Sequence, residues 1–141
     1  MPRRPGQPGA GEARRVIVVE TQNRSGGKVG EGEAADLARL VLEAEGIEDG
    51  ELGIVFVASD EMRVLKRDHL GIDEATDVLS FPLDGREALP AGVPRALGDI
   101  VLCPEIVGEE WREALVHGLL HLLGYDHGDE MSARERVHAT R

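Results

Sequence analysis

Four short runs of apolar side chains punctuate the chain: Val16 to Val19, Ile54 to Val57, Val78 to Phe81 and Ile100 to Cys103. Each is nearly continuous in apolar residues, which predicts strands covered on both faces. Between them the period becomes helical. Ala34, Leu37, Leu40, Val41 and Ala44 share one stripe of a helix from Glu33 to Glu45, and Met62 and Leu65 lie on one from Glu61 to His69. A third helix is expected from about Gly108 to Leu123, and a fourth from about Glu130 to His138. Pro82 and Pro104 each follow a strand run and mark its end. The Gly- and Pro-rich stretch Asp84 to Pro94 is a loop. This alternation predicts an α+β fold, a mixed sheet packed with helices.

The 141 residues are enough for one domain with a real core. Residues 1–14 carry prolines, glycines and arginines but nothing to bury, so they are expected to be a disordered tail before a single domain over 15–141. With 41% hydrophobic and 30% charged residues the remainder has the balance of a globular protein. Cys103 is the lone cysteine, which excludes an intrachain disulfide and a four-cysteine zinc site. No apolar stretch suits a signal peptide or a membrane span, so a cytoplasmic protein without membrane contact is expected.

Charge complicates the picture. The net charge is -11, whereas proteins that bind nucleic acid through their surface carry a basic excess. Aromatic residues, Phe56, Phe81, Trp111 and Tyr125, are too few for a surface that stacks successive bases. The acidic excess is concentrated, however. Residues 31–51 hold eight carboxylates (Glu31, Glu33, Asp36, Glu43, Glu45, Glu48, Asp49, Glu51) against Arg39, a pattern read as a solvated helix face. From Asp60 to Leu70, by contrast, Arg63, Lys66 and Arg67 offset the acids, so net charge says little about any one groove.

The segment that carries chemistry is Ala114 to Asp129, ALVHGLLHLLGYDHGD. His117 and His121 are four apart on a helix, so their imidazoles stand roughly 40° apart on one face and can reach a common ion. Gly124 supplies the left-handed conformation that ends a helix, and the returning chain brings His127 within reach. Three neutral imidazoles hold one zinc and leave a fourth position for water, which is the arrangement of a catalytic site. The plain alternative is that these are hydrogen-bonded core histidines, since a leucine-rich helix buries its rings and buried rings need partners. His69 and His138 lack any such context and read as surface residues.

The spacing HxxxHxxGxxH is also that of long zincin peptidases, in which a glutamate after the first histidine is the general base. Gly118 stands there instead, and glycine takes no proton. What remains is a metal that acidifies water and polarises an oxygen, and an ionised phosphodiester can ligate it directly.

HGLLHLLGYDH resembles the metal motif of the YbeY endoribonucleases, the ribosomal RNA maturation factors. TDVLSFP at Thr76 to Pro82 and GDIVLCPE at Gly98 to Glu105 are similar to two further motifs of that family, in the same order. The likeness runs from about Val16 to Asp129. It implies a four-stranded mixed sheet with helices and one zinc per chain on His117, His121 and His127. It also implies metal-dependent cleavage of single-stranded RNA in small-subunit ribosomal RNA processing and ribosome quality control.

One departure bears on substrate binding. Six residues before Thr76, where many family members carry arginine, this chain has Leu70, which cannot pair with a phosphate. Arg67 and Arg63, one and two turns earlier, are the candidate substrate-binding residues in its place. Thr76, Asp77, Ser80, Gly98, Asp99, Cys103, Tyr125 and Asp126 all have ordinary turn, strand or packing roles available and receive no chemistry. Two other activities stay open: a non-catalytic assembly factor with structural zinc, whose acidic surface suits a basic ribosomal protein, and a metallopeptidase, which Gly118 disfavours. A bound dication takes up a phosphate at one point, so the acidity limits how RNA binds. Contact is expected near the metal and the Arg63 to Arg67 helix.

Overall fold

The computed structural model describes residues 16–126, 128–139 and 141. The expected tail, residues 1–14, lies outside them. Strands β1 (Ile17–Arg24), β2 (Gly50–Val57), β3 (Val78–Pro82) and β4 (Ala96–Leu102) form one sheet in the order β1-β2-β4-β3. β1, β2 and β4 run parallel and β3 is antiparallel to β4, which makes the sheet mixed, as expected. The helices are α1 (Glu31–Ala44), α2 (Ser59–Leu70), the single turn α3 (Pro104–Val107), α4 (Trp111–Leu122) and α5 (Asp129–His138).

Alternate residues of the central strands belong to two separate cores. Leu52, Ile54 and Phe56 of β2 and Ile100 and Leu102 of β4 pack with Leu37, Val41, Leu115 and Leu119 from α1 and α4. Their neighbours Val57, Val101 and Cys103 join Leu79 and Met62, the buried residue of α2, in a smaller cluster. Since successive side chains of a strand point to opposite faces, α1 and α4 cover one face and α2 the other. Burial on both faces therefore holds for β2 and β4 but not for β1. That edge strand buries Ile17 and leaves Val18 41% exposed, because only its α1 side is covered.

Pro82 is the last residue of β3 rather than the one beyond it. Pro104 opens α3, where its missing N–H costs nothing. A single helical turn has no apolar period, so α3 leaves no mark in the pattern of the sequence. Glu105 on this turn caps another helix. Its carboxylate accepts from the Ser59 backbone N–H at 3.1 Å and the Ser59 hydroxyl at 3.3 Å at the start of α2.

Two residues read as surface groups are interior. Glu45, placed on the solvated acidic face, is 7% exposed, and His138 is 2% exposed. The period of α1 turns the Glu45 side chain inward just past the helix end, and it stays charged there because donors surround it. Tyr125 donates at 2.9 Å, His138 Nε2 at 2.7 Å, Arg134 Nε at 2.9 Å and Arg86 at 3.3 Å. Arg141 Nε donates to His138 Nδ1 at 2.8 Å, which leaves the His138 proton on Nε2, facing Glu45. His69 is exposed as expected, edge-on to Phe81. Among the described residues no helix is long and apolar enough to cross a membrane.

Candidate metal centre

Helix α4 ends as its glycine requires. Gly124 has φ 95°, its N–H donates to His121 O at 3.0 Å, and the Tyr125 N–H reaches Leu120 O at 3.0 Å. This pair of bonds is a Schellman turn, and it reverses the chain directly after the two histidines. His117 and His121 are half-buried with ring centroids 4.7 Å apart and planes at 83°. Their Nε2 atoms face each other at 3.1 Å. Two nitrogens at ~2.05 Å from one tetrahedral zinc lie about 3.3 Å apart, so the pair is set at close to the span that such an ion needs.

Glu135 of α5 stands on the far side of the first ring, with Oε2 3.2 Å from His117 Nδ1. An ionised carboxylate only accepts, so this contact places the ring proton on Nδ1 and leaves the Nε2 lone pair toward His121. Metal-bound imidazoles are commonly oriented in this way. The third expected ligand, His127, lies outside the described residues. Among the described residues no group of three or more His, Cys, Asp or Glu gathers as a metal-holding cluster, so the described part of the centre is the pair.

The histidines floor an open cleft of about 720 Å³ between α4, β3 and the end of α2. Its lining is acidic: Asp77, Glu110, Glu113, Asp126 and Glu135 against Lys66. Such a wall attracts a divalent cation and repels a bare phosphate. Gly118 has a packing reason. A Cβ there would come within 3.0 Å of Ser80 Oγ and 3.3 Å of Ile100 and Val78 methyl groups, so the position of the zincin base is occupied by the crossing of β3 and β4.

Residues 20–140 match the family model described as Endoribonuclease YbeY. The chain belongs to the YbeY endoribonuclease family. It is 46% identical over 110 residues to the Endoribonuclease YbeY of Halorhodospira halophila, a match covering 70% of each chain. With that of Acidothermus cellulolyticus it shares 42% over 138 residues, 84% of each chain. The solution structure of TM1509 from Thermotoga maritima superposes with a TM-score of 0.54 at 26% identity, over 86% of both chains.

In this chain the two candidate substrate arginines are engaged elsewhere. Arg63 Nε donates to Asp73 at 2.7 Å, and the hydrogen bond holds the Asp73 carboxyl below its usual range. Arg67 lies 3.3 Å from Asp68. Neither is among the described residues lining the cleft, whereas Leu70 and Lys66 both are. Lys66 is largely covered and pairs with Glu74 at 3.2 Å. Of the motif residues given no chemistry, Thr76, Asp77, Ser80 and Asp126 line the cleft, while Cys103 is buried and its thiol is pushed up by that burial.

Sequence reasoning missed Glu135 and Lys66. Glu135 lies on a helix with almost no apolar period, so nothing local indicates which way its carboxylate turns. Lys66 had a signal: it is one turn before Leu70, on the same face of α2.

Proposed function

We propose that the chain is a zinc-dependent endoribonuclease that cleaves single-stranded ribosomal RNA in the cytoplasm, in small-subunit maturation and ribosome quality control. The observation that carries this reading is the pair of imidazole nitrogens 3.1 Å apart on the floor of an acidic cleft, with one ring oriented by a carboxylate. His117, His121 and His127 would hold the ion. A zinc held there supplies positive charge for a phosphate oxygen and lowers the pKa of a water to about 7. Glu135 keeps the His117 proton on Nδ1, and Lys66 offers an ammonium to a neighbouring phosphate. The relatives named Endoribonuclease YbeY support RNA as the substrate.

The test is cleavage of a single-stranded RNA by purified full-length chain, stripped of metal and then resupplied with zinc. Stripped protein should be inactive and zinc should restore cleavage. If His121→Ala cleaves as well as wild type, the reading fails.

A second reading, a non-catalytic assembly factor docking to a basic ribosomal protein, is favoured by one feature. The carboxylates of Glu33, Asp36, Glu43, Asp49 and Glu51 lie on exposed residues, on the acidic stretch away from the cleft. Cobalt in place of zinc separates the two: an exchangeable water at the ion supports the enzyme, and four protein ligands support the scaffold.

A further inference from the structure

Helix α5 carries the carboxylate that orients His117, yet it has little to hold it in place. Its buried residues are Met131 and His138. Met131 packs into the larger core, and the Glu45 carboxylate ties down the rest of the helix by taking hydrogen bonds from both Arg134 and His138. These are four residues apart and so lie on one face of α5, which fixes the rotation of the helix as well as its seat. Glu135 follows Arg134 directly, and that rotation brings its Oε2 to 3.2 Å from His117 Nδ1.

We propose that Glu45 is a positioning residue of the metal centre: its buried carboxylate sets α5 in the one rotation that lets Glu135 orient the imidazole of His117. Glu45 touches neither histidine; it acts through α5. The inference rests on the reading of His117 and His121 as zinc ligands.

The test is a double-mutant cycle on the full-length chain, with Glu45→Gln, Glu135→Gln and both together. Zinc affinity is measured by competition with a chromophoric chelator, and amide exchange of residues 129–138 is measured without metal. Loss of a carboxylate that supports a ligating histidine weakens metal binding by about 10- to 100-fold. Each single variant should fall in that range, and the double variant should bind within about twofold of Glu135→Gln alone. Exchange in α5 should speed up in Glu45→Gln and not in Glu135→Gln. Losses that multiply in the double variant, or unchanged affinity in Glu45→Gln, overturn the proposal while leaving the zinc site standing. A wild-type chain that binds no zinc overturns both. Arg134→Gln breaks the same clamp from the α5 side and carries the cycle if Glu45→Gln does not fold.

Discussion

The Ser80 hydroxyl donates to the carbonyl oxygen of Gly118 at 3.1 Å, so β3 is tied to the turn of α4 that separates the two histidines. The two elements approach closely there: a Cβ at position 118 would meet Ser80 Oγ at 3.0 Å and crowd the Val78 and Ile100 methyl groups at 3.3 Å. Gly118→Glu should therefore lower stability by about 1 to 3 kcal/mol through overpacking, measured by urea unfolding. It should yield no peptidase activity, because the new carboxylate has no room to stand beside the ion. Casein digestion by this variant would contradict that.

Zinc should stabilise the wild-type chain and not His117→Ala or His121→Ala. At a free zinc concentration about 100 times the dissociation constant, the gain is about 2.7 kcal/mol. Thermal melting with and without the ion measures it. Equal shifts in all three proteins would place the ion elsewhere.

The Glu45 clamp predicts a particular weakness to acid. Burial pushes its carboxyl up, but hydrogen bonds from Arg134, His138 and Tyr125 together outweigh this and hold it below the ordinary value of 4.5. The folded state then binds the proton less readily than the unfolded one. Its stabilising contribution is complete above pH 4.5 and is lost as pH falls through the lowered folded value. Unfolding midpoints measured down this range should fall in wild type, and that part of the fall should vanish in Glu45→Gln.

Lys66 is the basic side chain that the described cleft offers to RNA. Lys66→Met should raise KM for a single-stranded RNA with little effect on kcat. The slope of log affinity against log salt should become shallower by about 0.7, the value for one phosphate contact on a single strand. Leu70→Arg, one turn further along α2, should act the opposite way and tighten binding by about 10- to 150-fold, since a hydrogen bond to a charged group contributes about 1.5 to 3 kcal/mol.

Strands, helices and the histidine pair were legible because each follows from a local rule: apolar runs, the helical period, an i,i+4 spacing, a glycine at a helix end. Glu45 and His138 were not legible for a physical reason. Nothing near either residue in sequence shows that they will meet across 93 positions with two arginines and a tyrosine. A carboxylate beside Gly46 on an acidic stretch looks solvated until its distant donors are known. Arg63 is a milder case. Its charge was visible, but the engagement by Asp73, ten residues on, depends on the turn after Gly71, where φ is 72°.

The sign of the cleft also bears on turnover. A wall of Asp77, Glu110, Glu113, Asp126 and Glu135 stays net negative even after a doubly charged cation and Lys66 are counted. With zinc on the histidine pair as proposed, a polyanion in such a cleft would be held at the ion and repelled nearly everywhere else. Cutting the chain creates a new end, and a fragment with fewer anchoring contacts has little to keep it. On the proposed zinc-dependent reading, the acidic wall should favour departure of the products, so turnover is expected to be limited by substrate arrival or cleavage rather than by release.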